Sequence, residues 1–163
     1  MKKIISGLLF ILTCGLFLAS CSDDDNNETT HSTLPEVASA GTYTGTWSRA
    51  QITTDGLGEA ETTTGTLTFA VPENTETTTK YVTSITANAT AFSFSKTSTA
   101  NITWKQNGFL FSNQSIKNGF GVVFSGAISE SGVATISFTI TQKSGRKTYN
   151  YQYTFEGTKN SAE

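Results

Sequence analysis

From residue 41 onward the sequence predicts an all-β domain: about eight antiparallel strands in an up-and-down meander, closed into a small barrel. Three observations predict it. Thr, Ser and Gly dominate, and Pro occurs only at Pro72. Runs of β-branched and aromatic residues are separated by Gly, Asn and Ser, and no window carries apolar residues at helical spacing. The last three runs share one apolar face when joined by short turns.

The first run, "GTYTGTWSRA" (41–50), alternates Tyr43, Gly45 and Trp47 with Thr42, Thr44, Thr46 and Ser48, the period of a strand with one buried face. The second, 61–71, places Leu67, Phe69 and Val71 on one side. The third, 79–95, keeps Tyr81, Ile85, Ala87, Ala89 and Ala91 in one phase, then switches to Phe92 and Phe94. A β-bulge near 90–92 reconciles the phases within one bent strand; a turn near Asn88 makes two strands instead. Runs 100–106 and 109–116 form a hairpin through Asn107-Gly108, pairing Trp104 with Phe111 and Ile102 with Asn113.

The run 119–129 meets 133–143 through the three-residue loop Glu130-Ser131-Gly132. This pairs Val122 with Ile140, Phe124 with Phe138, Gly126 with Ile136 and Ile128 with Ala134. Gly126 is expected to leave room for Tyr153. A two-residue turn at Ser144-Gly145 leads into 146–158, with Ile140 opposite Tyr149, Phe138 opposite Tyr151, Ile136 opposite Tyr153 and Ala134 opposite Phe155. Eight such strands can close and leave no edge.

The chain opens "MKKIISGLLFILTCGLFLASC". Lys2 and Lys3 precede an apolar stretch too short for a comfortable membrane span, and 1–20 reads as a signal peptide. Leu18-Ala19-Ser20-Cys21 resembles a bacterial lipobox, which implies cleavage before Cys21 and acylation of its thiol. Acyl chains hold a protein on a membrane at about 0.8 kcal/mol per buried methylene. With Cys14 lost and Cys21 blocked, no thiol is left for a disulfide, a nucleophile or a metal site. Residues 21–40 are polar and acidic, and read as a disordered tether of about 25 Å r.m.s.. "SDDDN" behind Cys21 resembles the export signal of Bacteroides-type surface lipoproteins. That implies an outer-membrane anchor facing the cell surface, with a periplasm-facing anchor as the alternative. His31, the only His, lies in this tether.

Gly45-Thr46-Trp47 on the first strand resembles the G-x-W motif of lipocalins and the wider calycin group. The opening "GTYTGTW" and the closing "YTFEGTK" make 41–160 similar to the calycin-like, or lipocalin-like, domains of Bacteroides lipoproteins. The resemblance implies a barrel end closed by Trp47, with a basic residue near the last strand packed over it. Lys159 has the inward phase for that part. The lipocalin disulfide is absent, and 53–60 is short for a lid loop.

The inward set is Tyr43, Trp47, Phe69, Trp104, Phe124, Phe138, Tyr149, Tyr151 and Tyr153. Either these rings fill the barrel or they line a cavity for one small apolar or aromatic ligand; eight strands suit both. Buried tyrosine hydroxyls need partners, which a cavity or a barrel mouth supplies. An enzyme is not expected. The body has no His or Cys, and its acids lie in loops, turns or strand ends except the outward Glu156. No metal-ligand cluster or phosphate loop is present, and no cofactor is expected. The net charge is −2 with scattered lysines, which argues against nucleic acid. The expected partners are the membrane, through Cys21, and either a small apolar ligand or an envelope protein or glycan met at the Thr-rich surface.

Overall fold

The alternation of rings and threonines becomes strand in the computed structural model, which describes residues 33–71 and 82–161. A short helix α1 (Pro35–Ser39) precedes β1 (Gly41–Thr53), β2 (Gly56–Ala70), β3 (Val82–Ala89), β4 (Phe94–Lys105), β5 (Gly108–Asn113), β6 (Phe124–Ser129), β7 (Val133–Ser144) and β8 (Lys147–Lys159). Each strand pairs antiparallel with the next, and β1 also pairs with β8, so the meander closes into a barrel. Outward threonines meet across strands, with Thr42 to Thr68 at 3.1 Å and Thr86 to Thr97 at 2.9 Å.

Closure depends on a row of glycines. Gly45 sits opposite Gly65 on one side and Gly157 on the other. A Cβ on Gly45 would lie 2.0 Å from the Glu156 carbonyl oxygen. A Cβ on Gly65 would lie 2.6 Å from Cδ1 of Trp47. The first glycine of the G-x-W triplet is therefore dictated by backbone approach, and Trp47 packs beside the row, opposite Phe155.

The β6–β7 ladder has the expected register where it forms, with Gly126 opposite Ile136 and Ile128 opposite Ala134, but it ends at Ser125–Ser137, so the expected pairs Phe124–Phe138 and Val122–Ile140 are not made; Gly132 turns with φ 77°. Two other hairpins are displaced by two residues. The β7–β8 turn is Gly145-Arg146, so Phe138 faces Tyr153 and Ile140 faces Tyr151. Gly145 has φ 60° at the first turn position, where a type II′ turn needs glycine. In β4–β5 the turn is Gln106-Asn107 and Gly108 (φ 125°) opens the next strand, pairing Trp104 with Phe109 and Ile102 with Phe111. A slip of two residues keeps every side chain on its face.

The run 79–95 is not one bent strand. Residues 90–92 form a 3-10 turn and Ser93 takes φ 54°, so the chain reverses and β3 pairs with β4. The count stays at eight because β4 extends back to Phe94. The expected strand 119–129 begins only at Phe124, after turns. There Asn118 accepts from the Gly121 N–H at 2.8 Å and donates to the Val122 carbonyl at 2.7 Å. The gap left by Gly126 is filled by Phe111 rather than Tyr153: a Cβ there would lie 2.2 Å from the Phe111 ring. Residues 53–60 are a tight hairpin tip and not a lid loop. Part of the expected tether is ordered as well, since 35–39 form α1. Cys21, His31, Pro72 and Tyr81 lie outside the described residues.

Candidate functional site

The nine inward-phase aromatics separate into a core and two ends. Tyr43, Trp47, Phe69, Phe124, Phe138 and Tyr153 are buried, and Trp104, Tyr149 and Tyr151 are half-buried. Phe92, Phe94, Phe111, Phe120 and Phe155 join the core. Its centre is rings in mutual contact. Phe138 lies 5.6 Å from Tyr153, Phe94 lies 5.4 Å from Phe138, and Trp47 lies 5.0 Å from Phe155. Phe120 reaches in from the irregular 115–123 segment to within 4.8 Å of Phe124 and 5.7 Å of Phe138. The Trp47 indole N–H is buried without a hydrogen-bond partner among the described residues, a cost of about 1–3 kcal/mol that the surrounding packing offsets.

At the end where β1 starts and β8 finishes, α1 is tied down by side chains of the barrel. The Tyr43 hydroxyl donates to the Ser39 carbonyl at 3.0 Å, and Lys159 Nζ donates to the Ala38 carbonyl at 3.2 Å. The Trp104 indole N–H donates to the Thr33 carbonyl at 3.2 Å. Burial pushes the Tyr43 hydroxyl up to about 12. Lys159 sits opposite Tyr43 rather than over Trp47, so the place expected for it beside the tryptophan is taken by Phe155. Beside α1 lies an open cleft of about 320 Å³ walled by Tyr43, Trp104, Phe109 and Ile128, with Lys159 and Glu130 at its rim.

The opposite end is built differently. β2 meets β3 only from Thr66 onward, and β7 meets β6 only up to Ser137. The sheet β7-β8-β1-β2 therefore overhangs the barrel. Its inner face continues the phase of Tyr153 and carries Tyr151, Tyr149, Gln142, Gln51 and Arg49. Arg49 ion-pairs with Glu61 on β2. Its guanidinium lies over the rings of Phe92 at 4.6 Å and Tyr151 at 5.3 Å. Burial pulls the Arg49 guanidinium down, but its bonds to Glu61 and Tyr153 outweigh this and raise it.

Tyr149 and Tyr151, expected among the rings that fill the barrel or line a cavity inside it, stand half-buried on the overhang instead. The Arg49–Glu61 pair has no signal in the sequence, because it depends on a β1–β2 register that periodicity alone does not fix. Among the described residues, no group of three or more His, Cys, Asp or Glu side chains could hold a metal ion. No described helix is long and apolar enough to cross a membrane. The chain matches no known family, no curated protein and no solved structure.

Proposed function

We propose that this protein is a lipid-anchored lipoprotein of the outer membrane, facing the cell surface, and a non-enzymatic module that meets its partner at the end of a filled, calycin-like barrel. One observation carries the choice between a lumenal ligand and an external partner: Phe94, Phe138 and Tyr153 lie within 5.6 Å of one another at the barrel centre. Rings at that spacing leave the axis to side chains, as in small eight-stranded barrels packed to interior density. The lipobox-like Leu18-Ala19-Ser20-Cys21 and the acidic run behind it support the anchor.

The cleft beside α1 favours a second reading, a small apolar or aromatic molecule held against Tyr43, Trp104 and Phe109. Native mass spectrometry of residues 22–163, with apolar probes titrated against tryptophan emission, separates the two. The filled-barrel reading predicts an unaltered mass and a Trp47 emission that no probe changes. A co-purified molecule, or quenching of Trp47, contradicts it. Quenching confined to Trp104, lost in a Trp47-only variant, supports the cleft. The anchor is tested separately by Cys21→Ala. That variant is expected in the soluble fraction, and its retention in the membrane fraction contradicts acylation.

A further inference from the structure

We propose that β7 pairs through its free edge, residues 138–144, with the same edge of a second copy of this chain; this names the partner for the external reading above and rests on it. β6 flanks β7 only as far as Ser137, while β8 covers the other side through Ser144. Among the described residues, no strand and no backbone hydrogen bond reaches 138–144 on the β6 side. Thr139, Thr141 and Lys143 are exposed. Such an edge offers a row of backbone donors and acceptors to another strand.

The ladder fixes which groups are free. Along an antiparallel strand, successive residues direct their N–H and C=O to opposite sides. Ser144 and Lys147 flank a two-residue turn, where the flanking residues exchange both bonds, so the even-numbered residues of β7 face β8. The Gly132 carbonyl keeps that parity, accepting from the Lys159 N–H at 2.9 Å. Thr139, Thr141 and Lys143 therefore turn their N–H and C=O outward. With Thr141 opposite Thr141 of an antiparallel second copy, Thr139 stands opposite Lys143 and Lys143 opposite Thr139. Every such pair exchanges both bonds, and no edge group is left over. The register also ends where each copy allows: Phe138 meets Ser144, and beyond them lie β6 of one copy and the turn of the other.

The side chains favour self-pairing. Lys143 is the one charged residue from 133 to 144, and this register puts it across from a threonine rather than another cation. Thr139, Ile140 and Thr141 are β-branched and suit a pleated surface. Half-buried Ile140 gains Gln142 of the second copy as its neighbour on the inner face. The edge of β2 is also free before Thr66, but it carries Glu59 and Glu61, and charges are how edges are kept from pairing. The contact is small beside the roughly 20–30 residues a side of a stable interface, so the association is weak and reversible.

The test is sedimentation equilibrium of the full chain in a density-matched mild detergent, at roughly 10–300 μM, with amide hydrogen exchange followed by NMR over the same range. A reversible monomer–dimer equilibrium is expected, and exchange of the Thr139, Thr141 and Lys143 amides should slow as the dimer forms. Thr141→Lys and Thr141→Glu each set like charges opposite one another and should weaken the dimer about fivefold, while an equimolar mixture of the two should restore it. Thr141 is exposed, so both variants are expected to keep the parent circular dichroism spectrum. Should either lose it, Thr139→Lys, which faces Lys143 of the second copy, takes its place with the same weakening expected, and Thr139→Glu should tighten the dimer. Four results overturn the proposal: no self-association at the highest concentration, even where an added extended peptide protects the same amides; species larger than a dimer, which join unlike edges; a dimer equally strong in the charged variants; or edge amides that exchange alike at every concentration. None of these bears on whether the lumen is filled or Cys21 acylated, which the earlier experiments decide.

Discussion

Phe138 and Tyr153 stack face to face in the barrel, 5.6 Å between ring centroids and 9° between planes. They are direct cross-strand partners of β7 and β8, and Tyr153 is fully buried. Tyr151, two residues earlier, has the same phase but stands half-buried on the overhang. Tyr153→Ala is therefore expected to destabilise by about 3–5 kcal/mol, in the range of large aromatic deletions. Tyr151→Ala should cost about half of that or less. Urea unfolding of both variants checks the contrast; equal losses would place the two rings in the same environment and refute the overhang.

Gly45 is closed in by backbone on the β8 side. Gly45→Ala forces β1 and β8 apart or bends one of them, and an overpacking cost of about 3 kcal/mol is expected. Gly58→Ala is the control, since its nearest neighbour would be the Gln51 carbonyl at 3.4 Å; it should stay within about 0.5 kcal/mol of the parent. Melting curves for the two variants measure the difference. A Gly45→Ala protein as stable as the Gly58→Ala protein would mean that the barrel is not closed there.

The β7–β8 turn gives a third prediction. Gly145 holds φ 60° in the first turn position, so Gly145→Ala should lose about 1 kcal/mol or more. Ser144→Gly should bring no gain, because Ser144 is in strand, paired with Lys147. A turn at Ser144-Gly145 would place Ser144 at positive φ, and Ser144→Gly would then stabilise. Denaturant midpoints of the two variants separate the registers.

That turn also shows what was legible in the sequence. Period-two alternation fixed which face of β7 and β8 is inward, because a slip of two residues leaves the face unchanged. It did not fix which residues are opposite, because one glycine serves either a type I′ or a type II′ turn and the two place it differently. The phase change after Ala91 was visible as a discontinuity. A bulge and a reversal produce the same signature in a single sequence, and Ser93 at positive φ gave no residue-level sign of the reversal. Phe120 shares the inward phase of Val122 and Phe124 in the expected strand 119–129, yet it reaches the core from turns before β6 and not from a strand, which the alternation does not reveal. For the candidate site, the rings were readable as a set. Their division between core and overhang was not, because it depends on where β3 and β6 stop flanking the sheet.

Tyr43 supplies a pH prediction. Its hydroxyl is pushed up to about 12 by burial, against an ordinary value of 10.0. The folded state thus keeps a proton that the unfolded chain releases. The associated stability is complete below about pH 10 and is lost progressively as the pH rises from 10 towards 12. Unfolding free energies taken across that window should fall with pH, and the fall should be shallower in Tyr43→Phe. An identical slope in the two proteins would show that Tyr43 ionises as freely folded as unfolded.

The central claim is that the barrel closes between its first and last strands around packed rings. Nuclear Overhauser contacts measure it most directly, between the Trp47 indole protons and the Phe155 ring and between the Hα protons of Gly45 and Gly157. With ring centroids 5.0 Å apart and the glycines in direct cross-strand register, both contacts are predicted to be strong. Absence of both from an otherwise well-dispersed spectrum would mean that β1 and β8 do not meet, and would contradict the account.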